Sequence, residues 1–218
     1  MFDTFRPRTD EVIACGDCVE LMKEIPSDKI DLVVTDPPYL ANYTPRDGRT
    51  VANDKNDNWL KPAFAEISRV MKPNSFCVSF YGWNKVDRFM EAWRQAGLTP
   101  VGHIVYAKDY ASKKLKLAYR HECAYLLAKG QPEPTEIIDD VLGWKYSGDT
   151  FHPTQKPVMA LEPLIRAFSK KGDMVLDPFC GSGSTLVAAK NLGRRFIGID
   201  LVKDYCDVAN KRVNQLHV

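Results

Sequence analysis

The sequence predicts an α/β protein built on one doubly wound, mostly parallel sheet. Three stretches carry that prediction. Ile30-Asp31-Leu32-Val33-Val34-Thr35 is an apolar run closed by prolines, the pattern of a strand buried on both faces. Met174-Val175-Leu176-Asp177 reads as a second strand, followed by a glycine-bearing turn and a helix-like stretch from Leu186 to Leu192. Arg195-Phe196-Ile197-Gly198-Ile199 reads as a third strand, so strand, helix and strand succeed one another as in a parallel crossover.

The remaining elements follow in order. Val12 to Ala14 is a short strand and Cys18 to Glu24 a short helix. Asn58 can cap a helix from Trp59 to about Met71, with Pro62 in the first turn, where its missing N–H is tolerated. Ser75 to Tyr81 is a strand. Asn84 to Ala96 is a helix with Val86, Phe89, Trp93 and Ala96 on a core-facing side, stopped at Gly97. Val101 to Ala107 and Glu122 to Leu127 have no helix-length pattern between them and are expected to pair antiparallel. Pro157 opens a helix to about Lys170, bent at Pro163, and Lys203 to Gln215 forms the last one. With 218 residues, no repeat and no linker, residues 1–218 are expected to form a single domain.

Composition bounds the function. Hydrophobic residues make up 44% and charged residues 27%, as in soluble globular proteins, and the net charge of +2 alone identifies no partner. No apolar stretch approaches the ~20 residues of a membrane span. Met1 to Asp10 lacks the apolar core of a signal peptide, so a cytoplasmic location and six reduced cysteines are expected. Cys15-x-x-Cys18 has no second cysteine pair to complete a zinc site, and no metal is expected.

Ligands of open α/β sheets bind beyond the carboxyl ends of the strands, which directs attention to Asp36-Pro37-Pro38-Tyr39, set directly after the first apolar run. Asp36 offers a carboxylate. The Pro37 carbonyl offers a second acceptor on a backbone stiffened by Pro37 and Pro38, and Tyr39 adds a flat face. Two acceptors beside a stacking surface suit a planar ring with an exocyclic amine, such as adenine or cytosine. The lone pair of such an amine is delocalised into its ring. Acceptors arranged for a tetrahedral nitrogen free it towards an electrophile, a preorganised form of help that requires no covalent nucleophile.

The turn after the 174–177 strand, Asp177-Pro178-Phe179-Cys180-Gly181-Ser182-Gly183-Ser184-Thr185, lets the backbone bend tightly and approach a ligand. Read alone it is equally an ordinary strand-to-helix turn. Asp200, at the end of the next strand, lies about 20 residues beyond, placed to accept from ribose hydroxyls. No Gly-Lys-Ser/Thr follows, so the cofactor is a nucleoside without a triphosphate, or a dinucleotide.

Together, Asp36-Pro37-Pro38-Tyr39 and the 177–185 loop resemble the S-adenosylmethionine-dependent amino-methyltransferases of DNA. The tetrapeptide precedes the glycine loop, as in the circularly permuted β group of that family. His152-Pro153-Thr154-Gln155-Lys156-Pro157 and Cys15-Gly16-Asp17-Cys18 match two further motifs, and the resemblance spans roughly residues 12 to 213. It implies a Rossmann-like methyltransferase fold with an antiparallel strand and S-adenosylmethionine as cofactor. Asp36 and the Pro37 carbonyl would hold the target amine, with Pro38 completing the tetrapeptide and Tyr39 stacking on the base. Phe179, Gly181, Ser182, Gly183 and Ser184 would line the cofactor pocket after Asp177, and Asp200 would hold the ribose. Asp17 would lie near the cofactor adenine. Thr154 and Lys156 would sit near its methionine carboxylate, with Pro157 opening the following helix. The partner is DNA, whose target base must leave the stack at a cost of a few kcal/mol. The Asp-first tetrapeptide leans to adenine N6 and Ser-first members to cytosine N4, which stays an alternative, as does an RNA or protein amide methyltransferase, whose protein-directed members usually begin with Asn.

Three segments are candidates for the DNA itself. Lys108 to Arg120 carries Lys108, Lys113, Lys114, Lys116 and Arg120 against Asp109, with Tyr110 and Tyr119 interleaved, a mixture suited to phosphates and exposed bases. The plain alternative is a solvated loop between strands. Residues 41–58 read as a mobile loop that could close over the flipped base or enter a groove through Arg46 and Arg49. Only 129–151 is available as a target-recognition segment, so a short or relaxed recognition sequence is expected unless a homodimer partner supplies the rest. Amine methylation needs no prior general base, so His152 is read as shaping the turn before Pro153 and His121 as structural or near DNA.

Overall fold

Leu32 and Val34 turn to one face of their strand and Val33 to the other, and all three are buried. That alternation requires helices on both sides of the sheet. The computed structural model describes residues 11–40, 56–111, 113–114, 116–144 and 155–215. The chain runs through β1 (Glu11–Cys15), α1 (Cys18–Lys23), β2 (Ile30–Thr35), α2 (Leu60–Val70) and β3 (Met71–Phe80). A 3₁₀ turn (Trp83–Lys85) leads into α3 (Val86–Gln95) and β4 (Thr99–Lys108). A small hairpin of β5 (Lys113–Lys114) and β6 (Ala118–Tyr119) precedes β7 (His121–Lys129) and β8 (Val141–Trp144). The last part comprises α4 (Val158–Phe168), β9 (Met174–Asp177), α5 (Ser184–Asn191), β10 (Arg195–Asp200) and α6 (Lys203–Asn214).

Among the described residues eight strands form one sheet in the order β1-β10-β9-β2-β3-β7-β4-β8. All neighbours are parallel except β7, which runs antiparallel to β3 (Val78 opposite Leu126) and to β4 (Ile104 opposite Ala124). The antiparallel pairing expected between 101–107 and 122–127 is therefore present.

Two cores fill the faces. Met22, Phe64, Ile67, Phe89 and Trp93 from α1–α3 pack on Val33, Cys77 and Leu127. Leu161, Leu164, Leu186 and Val213 from α4–α6 pack on Leu32, Val34, Val78 and Val175. Each such buried side chain stabilises the fold by about 1.5–3 kcal/mol relative to exposure. No helix among the described residues is long and apolar enough to cross a membrane.

Four boundaries differ from the sequence reading. Asn58 does not cap α2: its own amide donates to the Asn56 side chain at 3.2 Å, and the cap residue is Trp59, whose indole donates to the Asn56 carbonyl at 3.0 Å rather than closing the helix end. An Asx turn has captured the start of the helix. The expected 84–96 helix begins as a 3₁₀ turn, and α3 proper starts at Val86. β3 begins at Met71 rather than Ser75, directly after α2. Within the 129–151 segment, Val141–Trp144 joins the sheet as the edge strand β8, parallel to β4.

Candidate active site

β2 and β9 are far apart in sequence yet adjacent in the sheet, with Leu32 opposite Val175 and Val33 opposite Leu176. From β2 the chain continues to β3 on one side, while β9 and β10 lie on the other. This is a topological switch point, where doubly wound sheets open a crevice. Asp36-Pro37-Pro38-Tyr39 and the 177–185 loop both leave the sheet there.

Asp36 has a donor on each oxygen. The Tyr39 hydroxyl donates to Oδ1 at 2.8 Å and the Lys156 ammonium to Oδ2 at 2.6 Å; Lys156 also reaches the Tyr39 hydroxyl at 3.1 Å. Burial pushes the Asp36 carboxyl above the usual carboxylate range, opposed by Lys156 and by the Tyr39 hydrogen bond. Burial, reinforced by Asp36, also pushes the Tyr39 phenol well up. Lys156 is only 8% exposed and lies over the rings of Phe80 (4.8 Å) and Tyr39 (5.3 Å). Leu40, which follows the tetrapeptide, has φ 57, a left-handed conformation rare outside glycine and held at a cost of about 1–2 kcal/mol. Gly82 packs against this turn. A Cβ there would lie 2.4 Å from the Tyr39 carbonyl oxygen, so only glycine lets the chain leaving β3 pass.

A second buried ion pair adjoins the first. Lys108 meets Glu122 at 2.5 Å and lies 5.1 Å from the centre of the Trp144 ring, with Lys156 5.9 Å from the same ring. Burial alone would raise Glu122, but Lys156 and Lys108 outweigh it and hold the carboxyl low. Lys108 therefore faces inward and is not part of the exposed basic surface that the 108–120 run suggested.

On the β9 side the loop is clamped. Gly181 (φ 49) and Gly183 (φ 82) take left-handed conformations, and a Cβ on Gly183 would lie 2.8 Å from that of Ala209 on α6. The Gly181 amide donates to Asp200 Oδ2 at 2.9 Å and the Val202 amide to Oδ1 at 2.8 Å. Burial pushes Asp200 up against these two bonds. Arg212 donates to the Ser182 carbonyl (2.6 Å), the Ser182 hydroxyl (3.0 Å) and the Ser184 hydroxyl (3.3 Å). Asp177 is buried below the loop; burial pushes its carboxyl up to about 7, opposed by bonds from Thr185 and the Phe179 amide. Phe179 meets Trp59 edge-on at 5.1 Å. Asp17 Oδ1 caps α1 through the Val19 (2.8 Å) and Glu20 (3.2 Å) amides. The neighbouring Gly16 amide donates to the Asp200 carbonyl at 2.9 Å, which ties Asp17 to the same corner.

The structure thus brings together Asp17, Asp177, Phe179, Gly181, Ser182, Gly183, Ser184 and Asp200 on one side of the crevice, and Asp36, Pro37, Pro38 and Tyr39 on the other. Lys156 bonds Asp36 and Tyr39, while its neighbour Gln155 accepts from Ser182 at 3.4 Å. The 155–157 segment therefore bridges the two sides, and Pro157 caps α4. Thr154, Arg46 and Arg49 lie outside the described residues. Lys113 and Lys114 are on β5, paired with Tyr119 and Ala118. Lys116 is exposed at the hairpin turn, and Arg120 is exposed and donates to the Asp109 carbonyl at 2.8 Å. Sequence reasoning missed Trp59, Gly82, Glu122, Trp144 and Arg212. A carboxylate inside the otherwise apolar 122–128 stretch was a usable sign of Glu122, and nothing local marks the others.

Fold and crevice define a Rossmann-like α/β protein of the methyltransferase type. The chain belongs to the DNA methylase family of N6/N4 methyltransferases, which matches residues 30–211. It is 54% identical over 199 residues to YubD of Escherichia coli (strain K12), covering 91% of this chain and 88% of that one. It is 31% identical to the type II methyltransferase M2.DpnII of Streptococcus pneumoniae, over 93% of this chain and 89% of that one. Among solved structures, the M1.HpyAVI–SAM complex superposes with a TM-score of 0.76 at 28% identity, covering 93% of this chain and 98% of that one. The cytosine-N4-specific PvuII DNA methyltransferase shares the fold, with a TM-score of 0.75 at 17% identity over 94% of this chain and 86% of that one.

Proposed function

We propose that this DNA methyltransferase modifies N6 of adenine, using Asp36 and the Pro37 carbonyl as acceptors for the amine of a base swung out of the duplex. The observation that carries the reading is the Asp-first tetrapeptide at the carboxyl end of β2, facing the glycine loop of β9 across the switch point. The cofactor is S-adenosylmethionine, which when bound supplies an electrophilic methyl group. The residues suit it. The left-handed turns at Gly181 and Gly183 keep the loop backbone bare, and Phe179 with Trp59 gives an aromatic wall. Asp200 uses its oxygens on two amides and keeps lone pairs for ribose hydroxyls. Asp17 is offered to the adenine end.

Asp36 likewise keeps one lone pair per oxygen for the target N–H groups after Tyr39 and Lys156 have bonded. The Tyr39–Asp36 bond fixes the ring that stacks on the base. Held by two acceptors, the amine would turn its lone pair out of conjugation and towards the methyl carbon; the N–C bond would form as the S–C bond broke, leaving S-adenosylhomocysteine, and the surplus proton would leave through Asp36 or water. Lys156 opposes the effect of burial on Asp36, which favours the carboxylate form that this role requires. Lys116 and Arg120 are offered to phosphates, with Lys113, Lys114, Arg46 and Arg49 as further candidates, and 129–151 to base recognition.

The test is incubation of the protein with methyl-labelled S-adenosylmethionine and unmethylated duplex DNA, followed by nucleoside mass spectrometry. Labelled N6-methyladenine, lost in Asp36→Ala, is the expected result. N4-methylcytosine would overturn the base assignment and leave the role of Asp36 intact.

A further inference from the structure

Four tryptophans occur in the chain. Three are buried: Trp59 at 8%, Trp93 at 0% and Trp144 at 7% exposure. Trp83 is 64% exposed. A lone exposed indole is ordinary, but one that forms a patch with other exposed apolar side chains marks an interaction site. Trp83 follows Gly82, whose backbone packs against the Tyr39 carbonyl, so it stands beside the tetrapeptide at the carboxyl end of the sheet. Its ring stacks on Tyr119 of β6 at 6.3 Å and 30°. Leu117, 70% exposed, lies in the same hairpin. Exposed Lys85 lies two residues from Trp83, and exposed Lys116 and Arg120 flank Leu117 and Tyr119 in the chain; Asp109 is the one acid in the 108–120 run.

We infer that Trp83, backed by Tyr119, is a stacking platform for a base of the substrate DNA next to the extruded nucleotide, with these cations on its phosphates. This deepens the proposed function and rests on it. An apolar protein partner would match the rings alone, whereas a nucleic acid satisfies rings and cations together. Extruding a nucleotide unstacks its neighbours, and an aromatic face beside the pocket restores the lost contact.

Trp83 is also its own reporter, because it alone among the tryptophans is open to an aqueous quencher. Titrating the full-length protein with a random-sequence 20-nucleotide single strand, and separately with a random-sequence duplex, should quench its emission and protect it from iodide. Trp83→Ala should weaken binding of both by roughly 5- to 150-fold, the range for one base–aromatic stack, and Trp83→Phe should recover most of it. Affinity for S-adenosylmethionine and the melting temperature serve as controls for folding. Unchanged iodide access on adding DNA, or Trp83→Ala kinetics within twofold of wild type on a DNA that wild type methylates, would overturn this inference and leave the methylation reading standing. If wild type neither binds nor methylates any DNA, both fall.

Discussion

Asp36 is a partly buried carboxylate held from two sides, by a hydroxyl it orients and by an ammonium that opposes its protonation. Lys156 is the more consequential of the two partners, because in the proposed reaction Asp36 must accept from an amine and therefore be ionised. Replacing Lys156 with Met keeps its length and removes its charge. Burial then acts on Asp36 with less opposition, so its carboxyl rises further. The acid limb of the kcat–pH profile should move to higher pH by at least about one unit, a tenfold loss of rate on that limb. An unchanged limb would mean that Lys156 serves elsewhere, for instance at the cofactor. The Asp36 tetrapeptide was legible from four consecutive residues, whereas its pairing with Lys156, 120 positions away, was not. The resemblance places Lys156 near the methionine carboxylate of the cofactor and gives no sign of the bond to Asp36.

Elements position these residues through their ends. β3 carries no proposed catalytic group, yet Gly82 just beyond it sets where Tyr39 can lie. A methyl group on Gly82 meets a backbone oxygen that cannot swing away, so the tetrapeptide must move. Gly82→Ala should lower kcat by about a hundredfold, as expected for an ångström-scale misplacement of acceptors, while costing about 1–3 kcal/mol of stability. Steady-state rates beside a thermal melt decide it: a kcat within twofold of wild type means that Gly82 does not position Tyr39. The elements themselves were readable because apolar runs and helical faces are local properties. The start of α2 was not, since an Asx turn at Asn56 competes with the cap offered by Asn58. β8 was not either, because a four-residue edge strand gains its partner only when β4 is already in place.

At the scale of the whole molecule, β2 and β9 close one sheet from two distant stretches of chain, and Asp177 is sealed beneath that junction with its carboxyl pushed up to about 7 by burial. A carboxyl raised in the folded state contributes stability that is fully present below its unfolded value near ~4 and is lost as pH rises through about 7. Asp177→Asn removes that dependence. Its advantage over wild type in urea unfolding should therefore grow from pH 5 to pH 8, by an amount of the order of a few kcal/mol. Equal differences at the two pH values would show that Asp177 ionises without hindrance. By itself the sequence determined the α/β class, the antiparallel pair, the tetrapeptide and the glycine loop, because strand burial, turn chemistry and motif spacing are written within a few residues. Tertiary structure alone decided that Lys156 meets Asp36, that Glu122 and Lys108 form a second buried pair beside it, and that Gly82, Arg212 and Trp83 surround the site. Lys156 and Asp36 lie 120 positions apart, and even Lys108 and Glu122 stand on different strands, so burial strengthens these charge interactions only once the sheet has brought the segments together.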